Sequence, residues 1–125
     1  MTHPTPLHVA LAAVAVFGLM LGTAQARDVK DYSVKDLLDP CVEGDNDSRG
    51  GSVLELECEQ YISGFTDAYV RLGGSKADKV CLPTINRADE IRWAFMRWAH
   101  DNYGQRTMPA VDGLRATLKA RFKCK

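Results

Sequence analysis

Residues 52–74 read SVLELECEQYISGFTDAYVRLGG. Leu54, Cys58, Tyr61, Ile62, Phe65, Ala68, Tyr69 and Leu72 recur at spacings of three and four, so a helix built from this stretch carries one apolar face. Ser52-Val-Leu-Glu55 has the form of a capping box at its start, and Gly73-Gly74 stops it. Gly64 lies inside, at about 1 kcal/mol against Ala, and is expected to permit a close crossing by another helix.

The flanking sequence reads as further helices. Upstream, Ser33 and Asp36 begin a short helix that carries Leu37 and Leu38 and reaches Pro40-Cys41. Residues 43–51 (EGDNDSRGG) contain no apolar side chain and read as an acidic loop. Its D-x-D run lacks the spacing and the closing Glu of a calcium-binding EF-hand loop, so a solvated loop is the expectation. Downstream, residues 76–79 form a charged connector and Val80-Cys81-Leu82-Pro83 an extended turn. Asn86 can cap the next helix, with Asp89 and Glu90 in its first turn. Ile91, Ala94, Phe95 and Trp98, with Ala99 and Tyr103, make its apolar stripe, while Trp93 falls off it and is expected to be partly exposed. Gly104 is expected to end this helix, and Thr107 or Met108 to start the last one, with Pro109 in its first turn. Val111, Leu114, Leu118 and Phe122 give its buried side, and Lys119, Arg121, Lys123 and Lys125 gather at its end. No repeat and no clear strand appears. The fold class expected is all-α, a small bundle of about four to five helices joined by brief loops.

The first segment stands apart from this domain. Val9–Leu21 is an uncharged apolar run, too short for a comfortable membrane span of about 20 residues. Thr23-Ala24-Gln25-Ala26 follows with small residues where a signal peptidase acts. The expectation is a cleaved signal peptide at 1–26 and a mature domain at 27–125, periplasmic and with no stable membrane insertion after cleavage. All 16 acidic and all 16 Lys and Arg residues fall in the mature part, so its formal charge is zero. That argues against nucleic acid or an anionic membrane as the main partner.

Four cysteines remain, Cys41, Cys58, Cys81 and Cys124. An even number in an exported chain reads as two disulfides, and gaps of 17, 23 and 43 residues are unlike the close ligand pairs of a zinc site. Of the three possible connectivities, Cys41–Cys58 with Cys81–Cys124 is favoured. The first closes the acidic loop, and the second ties the chain end to the bundle. Each closure contributes about 3–4 kcal/mol through the unfolded state.

Chemistry is absent chiefly by omission. The mature part keeps one histidine, His100, near a helix end with Asp101 beside it, where a surface or capping role is expected. Oxidised cysteines offer no thiol nucleophile, and no serine lies in a G-x-S-x-G context. The expectation is a protein that is not an enzyme and takes no cofactor.

The string Cys58–Ala68 (CEQYISGFTDA) resembles a C-x-x-Y-I-x-G-x-x-D-A element. Val80-Cys81-Leu82-Pro83 resembles a C-L-P turn. Trp98-Ala99-His100, then Pro109-Ala110 and Leu114, then Phe122-Lys123-Cys124 resemble a closing helix with a terminal F-P-C. In this order the elements are similar to the Rap/Tai family of periplasmic immunity proteins of bacterial type VI secretion, from about Leu37 to Cys124. Asp101 and Lys123 stand where that family commonly has proline, which softens loop geometry without removing a functional group. The resemblance implies a small disulfide-braced helical protein, often a homodimer. Its partner would be a cognate secreted toxin, commonly a peptidoglycan amidase with a Cys–His site, whose cleft it blocks. The stretch that would enter the cleft corresponds to residues 100–108 (HDNYGQRTM), with His100, Asp101, Asn102, Tyr103, Gln105 and Arg106 as partner-binding residues. Tyr and Arg are residue types that carry binding energy. The alternative is a periplasmic acid-stress chaperone of the HdeA-like type, which would become disordered and bind clients at acid pH.

Overall fold

The computed structural model describes residues 31–45 and 50–125. The expected signal segment and the tip of the acidic loop, residues 46–49, lie outside them. Five helices follow in order: α1 (Val34–Glu43), α2 (Gly51–Arg71), α3 (Gly74–Ala77), α4 (Arg87–Asp101) and α5 (Ala110–Arg121), with a 3-10 turn at Tyr103–Gln105. Among the described residues there is no strand, only single antiparallel bridges between Ser33 and Pro109 and between Val80 and Lys123. None of the described helices is long and apolar enough to cross a membrane. The all-α bundle is therefore as expected.

Ser33 starts α1 by the anticipated capping box. Its Oγ accepts from the Asp36 N–H at 3.2 Å, while its own N–H donates to Asp36 Oδ2 at 3.0 Å. α1 rests mainly on α2 and also touches α4 and α5; α4 packs on α2 and α5. The core is Val34, Leu37, Cys41, Cys58, Ile62, Ile91, Phe95, Ala99, Leu114 and Leu118, all fully buried. Each such aliphatic or aromatic side chain gains about 1.5–3 kcal/mol on leaving water. Both disulfides join the favoured pairs, Cys41–Cys58 and Cys81–Cys124.

Several local expectations are corrected. Ser52 does not cap α2: Gly50, at φ +77°, turns the chain and the helix already begins at Gly51. Glycine takes that left-handed angle without steric cost, which lets the helix start earlier than the serine. The charged connector at 76–79 is helical in its first half, as part of α3. α4 ends at Asp101, and Gly104 belongs to the 3-10 turn that follows. α5 starts at Ala110, after Pro109. Tyr103, Leu72 and Val111 are exposed rather than core. Thr66 and Thr117 take buried positions instead, and the Oγ1 of each donates to a carbonyl one turn back on its own helix (Ser63 and Gly113).

Among the described residues nothing crosses Gly64: beyond its own helix backbone, a Cβ there would meet no atom within 4 Å. The close approach is at Gly113 instead. A Cβ on Gly113 would collide with Val34 Cγ2 and lie 3.2 Å from Trp98 Cζ3, so the glycine is what lets α5 sit against α1 and α4. The two glycines predict opposite outcomes. Gly113→Ala is expected to lower stability by about 1–2 kcal/mol through overpacking. Gly64→Ala is expected to raise it by about 1 kcal/mol through helix propensity alone. Urea unfolding of both variants measures this; equal effects of the same sign would contradict the placement of α5.

Arg92 is the residue that composition and pattern least announce. It is 1% exposed, yet charged. Its Nε and Nη2 donate to the Cys41 carbonyl at 3.1 and 3.0 Å, Nη2 also to Asp45 Oδ1 at 2.8 Å, and Nη1 to Glu55 Oε1 at 3.1 Å. Asp89 lies 3.6 Å from Nη1. Cys41 is in the last turn of α1, where carbonyls have no partner in their own helix. A guanidinium from α4 thus closes the end of α1 and ties it to α2 beside the first disulfide.

Candidate functional site

The segment joining α4 to α5 is fixed at both ends by backbone. At the α4 end, the Asn102 N–H donates to the Trp98 carbonyl at 2.9 Å, and its side-chain Nδ2 donates to the same carbonyl at 2.8 Å. The chain then makes one 3-10 turn, with the Gln105 N–H on the Asn102 carbonyl at 2.9 Å. At the other end the start of α1 holds it. The N–H groups of Val34 and Lys35 donate to the carbonyls of Met108 and Arg106, both at 2.9 Å, and the Ala110 N–H donates to the Tyr32 carbonyl at 2.8 Å. A polar loop held this way has little ordering entropy left to lose when it binds.

Four of the six expected partner-binding side chains face solvent. Tyr103 is 72% exposed, and His100, Asp101 and Gln105 are exposed with it. The Arg106 guanidinium stacks over the Tyr103 ring, 4.2 Å from its centroid. The pair therefore forms one unit, an exposed aromatic ring with a half-buried cation on its face, whose Nε also reaches the Ala99 carbonyl at 3.5 Å. His100 Nδ1 lies 3.2 Å from Asp101 Oδ1 with both side chains exposed, and among the described residues no third group joins them as a catalytic relay would require. Asn102 turns back on α4 and acts within the fold. Beside the turn, a groove of about 320 Å³ runs between the loop and the start of α1, lined by Asp31, Ser33, Lys35, Asp36, Arg106 and Thr107.

Two charged clusters lie elsewhere. Glu55, Glu59 and Asp89 bring carboxylate oxygens within 4.8 Å of one another, the spacing of a metal site. Arg92 already meets two of them and Asp45 as well, so the charge of the cluster is partly compensated by the protein. Burial, with Glu55 and Asp89 beside it, raises the Glu59 carboxyl above its ordinary value. The second cluster is Asp78, in the turn after α3. Arg115 donates to it in fork geometry, Nε to Oδ2 at 2.6 Å and Nη2 to Oδ1 at 2.9 Å, and the Tyr69 hydroxyl donates at 2.9 Å. The Arg115 and Tyr69 hydrogen bonds hold the Asp78 carboxyl well below the usual carboxylate range. Burial, followed by the bond to Asp78, pushes the Tyr69 hydroxyl up to about 12.

The Asp78 clamp joins α2, α3 and α5, and its sign in acid is fixed. Its folded pKa is below the unfolded value of 3.8, so the unfolded chain takes up the proton first as pH falls. The stabilisation is complete above the unfolded value and is lost as pH falls through the folded one. Asp78→Asn is expected to be less stable than the parent at pH 7 and closer to it at pH 3, read from urea unfolding at the two pH values. A gap that stays constant would contradict the ionised clamp.

A model of the family described as Rap1a immunity proteins matches residues 33–124. No curated protein and no solved structure matches the chain.

Proposed function

The chain belongs to the Rap1a family of immunity proteins, and from that membership we propose that it binds a cognate type VI secretion toxin in the periplasm and blocks the toxin's active site. The family match over nearly all of the described domain is the observation that carries this reading. The inserting element is the 3-10 turn, with Tyr103 and Arg106 as its leading pair and His100, Asp101 and Gln105 around them. The turn is polar and tied by backbone bonds at both ends, and its exposed ring with a cation stacked on it is the kind of anchor that fills a pocket. Inhibition by occlusion asks no chemistry of this chain. The toxin is taken to be a peptidoglycan amidase, in keeping with the resemblance carried by Cys58–Ala68 and the C-L-P turn. Residues 1–26 act as the export signal that delivers the protein to the compartment where such a toxin cuts. The acid-stress chaperone alternative finds no support in the family match or in the geometry.

The test is protection. The full chain and a form lacking residues 2–26 are co-expressed with periplasm-directed versions of the secreted toxins encoded near its gene. The full chain is expected to prevent lysis by one of them and the truncated form to fail. Lysis by every such toxin despite export of the full chain would sink the immunity reading. A homodimer belongs to the same reading, and light scattering on the mature chain decides it: a monomer mass across micromolar concentrations would rule it out.

A further inference from the structure

The two disulfides brace one fold in unlike surroundings. Cys41 and Cys58 are fully buried, behind the guanidinium that Arg92 places on the Cys41 carbonyl. Cys81 and Cys124 are exposed and line an open groove of about 450 Å³ with Ser75, Lys76, Lys79, Val80 and Lys125. Lys123 adjoins it through the bridge to Val80. Among the described residues, Lys76, Lys79, Lys123 and Lys125 make no salt bridge to a side-chain carboxylate, although the chain as a whole is neutral. Positive side chains without a side-chain ion pair are therefore gathered around one disulfide, with room beside it for an incoming group.

Thiol–disulfide exchange needs two things that this site supplies. The attacking thiolate must reach a sulfur along the S–S axis, and the departing sulfur must be stable as a thiolate. Neighbouring ammonium groups lower a thiol's pKa and so favour its departure. We propose that Cys81–Cys124 is a thiol–disulfide exchange site for an external dithiol of the Cys-x-x-Cys class, opened while Cys41–Cys58 stays closed. A thiolate of the dithiol attacks Cys81 Sγ, forming a mixed disulfide and expelling Cys124, between Lys123 and Lys125, as a thiolate. The second thiol of the dithiol, once deprotonated, attacks the mixed disulfide and releases Cys81. The dithiol is oxidised to its disulfide and this chain gains two thiols, so two electrons and two protons have passed. The domain survives the step. Leu114 and Leu118 stay in the core and Arg115 stays on Asp78, so the opened form keeps its packing and gives up the stabilisation of the cross-link and the tie on its terminal residues, where the Cys124 N–H donates to the Lys79 carbonyl at 2.9 Å. This assignment stands independently of the immunity reading.

The experiment uses the oxidised mature chain at neutral pH, treated in one arm with dithiothreitol and in another with a thioredoxin-type protein. Aliquots are quenched with iodoacetamide and mapped by mass spectrometry. A species alkylated at Cys81 and Cys124 alone is expected to form about 100-fold or more faster than any alkylation of Cys41 or Cys58, which must wait for local unfolding. Its far-UV circular dichroism is expected to match that of the oxidised chain. Simultaneous opening of both bonds, or Cys41–Cys58 opening first, would overturn the proposal. A variant with Lys76→Gln, Lys79→Gln, Lys123→Gln and Lys125→Gln is expected to open about 3–10-fold more slowly. An unchanged rate in that variant would overturn the role given to the lysines.

Discussion

Replacing Arg92 with Ala is expected to lower the free energy of unfolding by about 3 kcal/mol. The side chain is buried in the parent, and its loss has three separable consequences. The Cys41 carbonyl loses both of its donors at a helix end that has no replacement in its own backbone. Asp45 and Glu55 lose the cation that draws α1 and α2 onto α4. Glu55, Glu59 and Asp89 are left as a group of carboxylates with no compensating charge. The first term is a buried acceptor left without a partner, at about 1–3 kcal/mol. The other two are softened because the carboxylates are roughly half exposed and water can solvate them. Arg92→Lys keeps the charge but lacks the planar fork that serves several acceptors at once, so a smaller loss is expected. Urea unfolding of the oxidised proteins measures both. A loss within about 0.5 kcal/mol of zero for the Ala variant, the range of ordinary surface changes, would show that the network is not what joins the three helices.

The double variant Tyr103→Ala with Arg106→Ala is expected to weaken toxin binding by about 100-fold or more while leaving the unfolding midpoint nearly unchanged. Tyr103 is exposed, and the half-buried Arg106 lies on its ring with one long bond to the fold, from Nε to the Ala99 carbonyl at 3.5 Å, so neither is part of the core. The backbone bonds that fix the turn run through carbonyls and N–H groups, which the substitutions keep. Binding and folding therefore separate at this site, which is the signature of an interface anchor. Calorimetry with the purified toxin reads the first effect and thermal unfolding reads the second. Unchanged affinity would remove the turn from the interface even if the protein still protects cells. Lost affinity together with lost stability would mean that the pair acts within the fold.

What the sequence makes legible here depends on how local each cause is. α2 is written in its own residues, because Cys58, Ile62 and Tyr69 recur at helical spacing and the same spacing buries them. The capping box at Ser33 and Asp36 is likewise complete within four residues. The disulfide pairing is readable because each bond closes the ends of a recognisable excursion. Arg92 is not legible as a keystone, although Ala88, Arg92, Phe95 and Ala99 share one spacing and that alignment with core residues is a usable signal. Its acceptors come from residues that are 37 to 51 positions away. The roles of Gly64 and Gly113 are exchanged relative to expectation for the same reason. A glycine in a helix announces freedom to approach, but only the packing says which glycine is approached.

By itself the sequence determined the four main helices, most of their apolar faces, the favoured pairing of the cysteines and the family resemblance, because periodicity, caps and cysteine spacing act over a few residues or along the order of the chain. The tertiary structure alone decided where uncompensated charge collects. A chain of zero net charge folds with one guanidinium buried among carboxylates at the end of α1, and with four lysines left around the outer disulfide. Net charge is a sum over residues, whereas electrostatic energy depends on the distances between them, and those distances exist only once the helices are packed.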